Sequence, residues 1–137
     1  MPAIVALLEA AHLPAVELEL HLANVVVAEV DGRVVGCGGV EIYPDCDACL
    51  IRSMAVEEPL QGTGLGGRIL TWVMERARER GANQLFLFTV NARDFYAHYG
   101  FQDVTLDDFP ECARGSVQYR AVQRFQEEWG VFAMARR

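Results

Sequence analysis

The groups able to do chemistry in this chain gather around a run of glycines. Gln61-Gly62-Thr63-Gly64-Leu65-Gly66-Gly67 joins the apolar run Cys49–Val56 to the amphipathic run Leu65–Arg80. Glycines lack a Cβ, so consecutive backbone N–H groups can converge on one point. A helix beginning there adds its positive dipole end and its unpaired first-turn donors. Such a turn is an anion cradle, of a size to take a diphosphate. Arg52 lies on the apolar run that feeds it, Glu41 on the run before, and Tyr96 further along. All 12 basic residues are Arg, so no lysine nucleophile or Schiff base is available.

Three nucleotide-type readings compete for the turn. A phosphate-hydrolysing P-loop needs Lys and then Ser or Thr after its last glycine, and here Arg68 and Ile69 follow Gly67. Gly62, Gly64 and Gly67 satisfy G-x-G-x-x-G between an expected strand and helix. The dinucleotide fold, however, wants an acidic residue closing the next strand, and Leu85–Thr89 has none. That motif also usually opens its domain, whereas here about half the chain precedes it. The third reading is Q-x-x-G-x-G, formed by Gln61, Gly64 and Gly66 after the triplet Met54-Ala55-Val56.

With this third pattern the sequence resembles the GNAT superfamily of acyl-CoA-dependent N-acetyltransferases. A second signature, A-x-x-F-Y-x-x-x-G-F, stands as Ala92, Phe95, Tyr96, Gly100 and Phe101, one helix and one strand downstream. The resemblance runs from about Val25 to Phe101 and loosely to the C-terminus. It implies acetyl-CoA as co-substrate and the primary amine of a small molecule as acceptor. By resemblance, Gln61, Gly62, Thr63, Gly64, Leu65, Gly66 and Gly67 hold the pyrophosphate. Met54, Ala55 and Val56 meet the pantetheine arm, with a backbone N–H there, that of Val56, polarising the thioester carbonyl. Tyr96 is the implied general acid: a phenol near pKa 10 stays protonated at neutral pH and can meet a thiolate of pKa about 8.5. Thr89 stands where many relatives carry Asn, and its hydroxyl either meets the cofactor arm or caps the following helix.

Two roles stay open for Glu41, as base (directly or through water) or as salt-bridge partner of Arg52. Glu57 and Glu58 are weaker base candidates. A guanidinium on a central strand must be paired or reach water, so Arg52 is either in a structural pair or clamps a substrate carboxylate. The segment Leu50–Val56, with Glu41 and Pro110–Gln118, resembles a bacterial branch linked to arsenic-resistance operons and, distantly, phosphinothricin-type acetyltransferases. That branch would favour an amino-acid-like acceptor. The rival from another class is a catalytically silent acyl-CoA-binding sensor or partner-binding domain.

The elements that must position these groups are legible in outline. At 137 residues and 52% apolar composition the chain reads as a single domain over residues 1–137. A net charge of −7 argues against a nucleic-acid partner, and the apolar run Ala3–Leu8 is too short to span a membrane. The reading is a soluble cytoplasmic protein. Periodicity predicts helices over Ile4–Ala11, Glu17–Leu22, Leu65–Arg80 (inner face Leu65, Ile69, Trp72, Val73, Ala77) and Val117–Glu128. Strands are expected at Asn24–Val30 and Arg33–Tyr43, joined by an Asp31-Gly32 hairpin turn, and at Cys49–Val56, Leu85–Thr89, Asp103–Leu106 and Val131–Ala135. Pro110–Arg114 reads as a helical turn, and Asn91 with Asp94 as a helix N-cap pair. The implied fold is α+β, a three-layer α/β/α GNAT domain with a mixed, mostly antiparallel sheet. The family's usual first strand is expected to be missing, and that open edge suggests a homodimer. Cys46 and Cys49 form C-x-x-C without a second ligand pair at matching spacing. No metal site is therefore expected, and the two thiols read as small apolar or loop residues, or as a redox pair. His12, His21 and His98 carry no supporting pattern.

Overall fold

The structure is a computed structural model and describes residues 2–10, 24–43 and 45–137. The expected helix Glu17–Leu22, His12, His21 and Pro44 lie outside the described residues. By internal packing the chain forms two compact units. The first holds Met1–Glu41 and Ile51–Glu79, the second Ile42–Leu50 and Arg80–Arg137.

The first unit contains α1 (Pro2–Ala10), β1 (Val25–Val30), most of β2 (Arg33–Tyr43) and β3 (Ala48–Val56), and α2 (Leu65–Glu79). β1 and β2 pair antiparallel, Val30 opposite Arg33, through a turn in which Asp31 (φ 52°) and Gly32 (φ 79°) are both left-handed. That is the backbone an Asp-Gly two-residue hairpin demands. The register slips between Ala28 and Glu29. α1 buries Ile4 and Leu8 against Cys37 and Ala55.

Two glycines of β2 decide how closely α2 can lie on the sheet. A Cβ at Gly36 would sit 2.8 Å from Ile69 Cδ1, and one at Gly38 would sit 2.6 Å from both Ile69 Cγ2 and Met54 Sδ. The helix therefore rests on bare backbone, which only glycine permits. α2 buries Ile69, Leu70, Val73, Met74 and Ala77. Trp72, expected on the inner face, is instead 37% exposed, because the buried stripe runs through Leu70 and Met74. A stripe at 3.6-residue spacing admits either neighbour, and the periodicity alone does not choose.

The second unit contains β4 (Gln84–Thr89), α3 (Arg93–His98), β5 (Gln102–Val104), α4 (Val117–Trp129) and β6 (Phe132–Arg136). β6 lies between β4 and β5, antiparallel to both. Phe86, Phe109, Tyr119, Leu50 and Ala133 form its core. Ser116 caps α4 by accepting the Tyr119 N–H, and left-handed Gly130 (φ 63°) closes it. The strand expected at Asp103–Leu106 ends at Val104, because Thr105 and Asp108 form a reciprocal cap that starts a 3-10 turn at Leu106. A second 3-10 turn, Glu111–Ala113, stands where a helical turn was expected.

Candidate active site

The glycine-rich turn follows a short 3-10 turn, Glu58–Leu60, and leads into α2. Gly62 (φ 81°) and Gly64 (φ 89°) are left-handed, and a Cβ at either would meet nothing within 4 Å. Glycine is needed here for backbone freedom, and the space beside the turn is open. Two side chains tie the turn down. Gln61 Nε2 donates to the Val56 carbonyl at 3.1 Å, and Thr63 Oγ1 donates to the Leu60 carbonyl at 2.5 Å. The glutamine of Q-x-x-G-x-G thus anchors the cradle to the end of β3. The Arg68 N–H bonds the Gly64 carbonyl at 3.2 Å, so the N–H groups of Leu65, Gly66 and Gly67 precede the first intrahelical acceptor. The first turn of α2 contains no carboxylate, and Arg68 there is exposed. The turn can therefore bind an anion through backbone donors and the helix dipole together.

Upstream on β3, Arg52 Nη1 donates to Glu41 Oε2 at 2.6 Å, with only 1% and 5% of the two side chains exposed. Arg52 Nε also donates to Ser53 Oγ at 3.2 Å. Glu57, just beyond β3, is paired with Arg33, which holds its carboxyl below the usual range. Glu58 is exposed. One feature at this strand had no sequence signal. Ser53 is left-handed (φ 60°) in the middle of β3, and Cys37 donates its S–H to the Ser53 carbonyl at 3.1 Å. Serine has no αL preference of the kind that flags Gly or Asn.

Tyr96 and Thr89 belong to the second unit. Tyr96 is 7% exposed on α3, with Phe95 and Phe101 rings edge-on at 5.1 and 5.8 Å. Burial pushes its phenol above its ordinary pKa. The residues of A-x-x-F-Y-x-x-x-G-F thus also form an aromatic cluster holding the tyrosine. Thr89 Oγ1 accepts the Ala92 N–H at 3.1 Å. Ala92, not Asn91, is the N-cap residue of α3, and no side chain of its own caps it. The Asn91–Asp94 cap is therefore corrected: the threonine at the end of β4 supplies the acceptor in its place. His98 ends α3 edge-on to Tyr99 at 5.3 Å.

Of the readings open to C-x-x-C, the Cys46–Cys49 redox pair is corrected, while Cys49 is a small buried residue as expected. Cys46 is disulfide-bonded to Cys112, 66 residues away, while Cys49 is a free, buried thiol pushed up to about 12 by burial. Two residues beyond Cys46, the chain enters β3 at Ala48, whose fully buried backbone carries Cys49 into the core. Among the described residues no group of His, Cys, Asp and Glu could hold a metal ion. No helix among them is long and apolar enough to cross a membrane.

Comparison with known proteins places this geometry. Residues 21–103 match the acetyltransferase (GNAT) domain. An amino-acid acetyltransferase of Ralstonia nicotianae is 37% identical over 97 residues, which are 71% of this chain and 22% of that protein. The chain thus spans 22% of the length of such curated relatives. The N-acetylglutamate synthase from Neisseria gonorrhoeae, complexed with coenzyme A and N-acetyl-glutamate, superposes with a TM-score of 0.82 at 28% identity, covering 100% of this chain and 32% of the synthase chain. Rv2747 from Mycobacterium tuberculosis, in complex with CoA and NLQ, superposes with a TM-score of 0.77 at 25% identity, over 98% of this chain and 91% of that one.

Proposed function

Because the chain belongs to the GNAT acetyltransferase family, we propose that it transfers the acetyl group of acetyl-CoA to the primary amine of an amino acid or amino-acid-like substrate. The observation that carries the proposal is the turn Gln61–Gly67, open on its glycine side, tied to Val56 and ending at a helix N-terminus without carboxylates. Its N–H groups, from Gly62 to Gly67, hold the pyrophosphate of the co-substrate. Each charge-assisted hydrogen bond contributes about 1.5–3 kcal/mol, so several outweigh the repulsion from a net charge of −7.

The backbone of Met54, Ala55 and Val56 lies along the pantetheine arm, and a Val56 N–H polarises the thioester carbonyl as the tetrahedral oxyanion forms. Tyr96 hydrogen-bonds the departing thiolate and relays to it the proton that the ammonium of the tetrahedral intermediate gives up, so the phenol ends protonated. An α-amine of pKa about 8 is roughly a tenth neutral at pH 7 and needs only water to take its proton. Of the two roles open to Glu41, the buried pair with Arg52 is the one the geometry supports. The same burial speaks against Arg52 as a ready clamp for a substrate carboxylate. Thr89 already accepts one N–H and keeps its own proton to donate to the cofactor arm.

The Ralstonia relative is an amino-acid acetyltransferase and the Neisseria neighbour an N-acetylglutamate synthase, which supports that acceptor class and gives the narrower arsenic-resistance placement no support of its own. We further propose a cytoplasmic homodimer. Its support is β1, at the end of the strand order, with Val27 and Val30 37% and 46% exposed. Sedimentation tests the dimer.

The test of the activity is thiol release from acetyl-CoA across amino acids, their amides and polyamines, with CoA-induced thermal stabilisation recorded alongside. Turnover that requires a carboxylate on the amine supports the proposal. Stabilisation by CoA without turnover on any amine would favour the silent sensor, and no stabilisation would overturn the cradle itself.

A further inference from the structure

The buried groups left without a part in that mechanism converge on one residue. Ser53 holds a left-handed backbone inside β3, which for a side chain with a Cβ is strained and persists only where neighbours fix it. Three contacts do so. Cys37 on β2 gives its S–H to the Ser53 carbonyl at 3.1 Å. Arg52 Nε holds Ser53 Oγ at 3.2 Å, and Glu41 holds Arg52 at 2.6 Å. All four residues are less than 8% exposed. A left-handed residue interrupts the alternation of a strand. It therefore sets where the N–H and C=O groups of Met54, Ala55 and Val56 point, and the proposed function gives those groups the thioester and the pantetheine arm.

We propose that Cys37, Arg52 and Glu41 are positioning residues that clamp Ser53 in its left-handed conformation and so aim the backbone of Met54–Val56 at the acyl thioester. Cys37 acts here as a hydrogen-bonded strut, not as a nucleophile. The clamp rests on the acetyl-transfer reading for its purpose, but its existence can be tested without turnover.

The experiment uses Cys37→Ala, Cys37→Ser, Glu41→Gln and Ser53→Gly, with the double variant Cys37→Ala/Ser53→Gly. Cys37→Ala removes the strut, and kcat is expected to fall on the order of tenfold to a hundredfold, as for a misplaced reacting group, with the KM for acetyl-CoA changed less than about threefold. Glu41→Gln keeps a hydrogen-bond acceptor and is expected to lose less. Glycine adopts φ 60° without strain, so the double variant is expected to recover most of the lost kcat. Cys37→Ser keeps a donor and guards against a variant that fails to fold. Val122→Ala, a buried truncation in the second unit, controls for destabilisation and should leave kcat unchanged. Amide hydrogen exchange at Met54, Ala55 and Val56 provides the second readout: faster in Cys37→Ala, restored in the double variant. Absence of rescue in both readouts, or a kcat loss in Val122→Ala equal to that of Cys37→Ala, would overturn the clamp. If wild type turns over no amine, the acetyl-transfer reading fails and the exchange data alone decide.

Discussion

Replacing Tyr96 with Phe separates catalysis from structure most cleanly. The substitution removes one oxygen and keeps the edge-on rings of Phe95 and Phe101 at 5.1 and 5.8 Å. A hydroxyl on a side chain 7% exposed contributes, if hydrogen-bonded, about 0.5–1.5 kcal/mol to stability, and that bounds the structural loss. Removing a general acid costs about 10²- to 10⁴-fold in rate, or about 2.7–5.4 kcal/mol in the barrier. The rate effect therefore exceeds the stability effect by at least about 1 kcal/mol. We expect kcat, read as thiol release at saturating acetyl-CoA and amine, to fall at least about a hundredfold, while CoA affinity by calorimetry stays within about threefold. Because burial raises the phenol pKa, wild type should show no falling limb from this residue up to about pH 10. A loss of CoA affinity equal to the loss of kcat would refute the reasoning, as would a limb below pH 10 that disappears in the Phe variant.

Other expectations follow from packing and titration. Gly38→Ala drives a methyl to 2.6 Å from Ile69 Cγ2, a branch that cannot swing away without a rotamer change; overpacking of this kind costs about 1–3 kcal/mol, readable as a lower denaturant midpoint at unchanged slope. Cys37 and Cys49 titrate in the folded chain at about 11 and about 12, raised from 9.0 by burial. Above pH 9 the unfolded thiols release protons that the folded ones retain, so stability is full below pH 9 and declines as pH rises toward 11 and 12, which alkaline melts of Cys49→Ala against wild type will measure. Reducing the Cys46–Cys112 bond, which closes a 66-residue separation, should cost about 2–4 kcal/mol. Thiol titration in denaturant should count two groups before reduction and four after it.

What could be read from the sequence was whatever repeats locally. The hairpin at Asp31-Gly32, the glycine turn into α2 and, among the described residues, nearly every strand and helix followed from periodicity and from residues whose backbone preferences are strong. Trp72 and Leu70 could not be ranked, because both positions border the stripe through Ile69 and Val73, and which of them is buried depends on what packs beside that stripe. Asn91 has the better capping propensity, yet Thr89 does the capping, because the end of β4 delivers its hydroxyl to the Ala92 N–H. Cys46 stands three residues from Cys49 but bonds Cys112, a pairing made by tertiary approach. The left-handed Ser53 lay outside any propensity argument, since its neighbours, not its side chain, impose the angle.

The same distinction bears on where binding is determined. The cradle glycines supply freedom at the turn itself, but its position relative to β3 is set from β2. Gly36 and Gly38 let Ile69 press onto bare backbone, and Met54 Sδ crowds the same Gly38 position. Leu65, at the first turn of α2, lies 3.6 Å from where a Gly36 Cβ would stand. A residue larger than glycine at either site must lift the helix or turn Met54, and both movements displace groups assigned to the co-substrate. Interiors are packed too densely to absorb such a change locally. On the proposed function, the β2 glycines therefore bear on co-substrate binding through the position of the turn rather than through contact with it. Substitution at Gly36 should consequently lower CoA affinity, measured by calorimetry on folded protein, and an affinity unchanged alongside a shifted denaturant midpoint would separate cradle from sheet and defeat that conclusion.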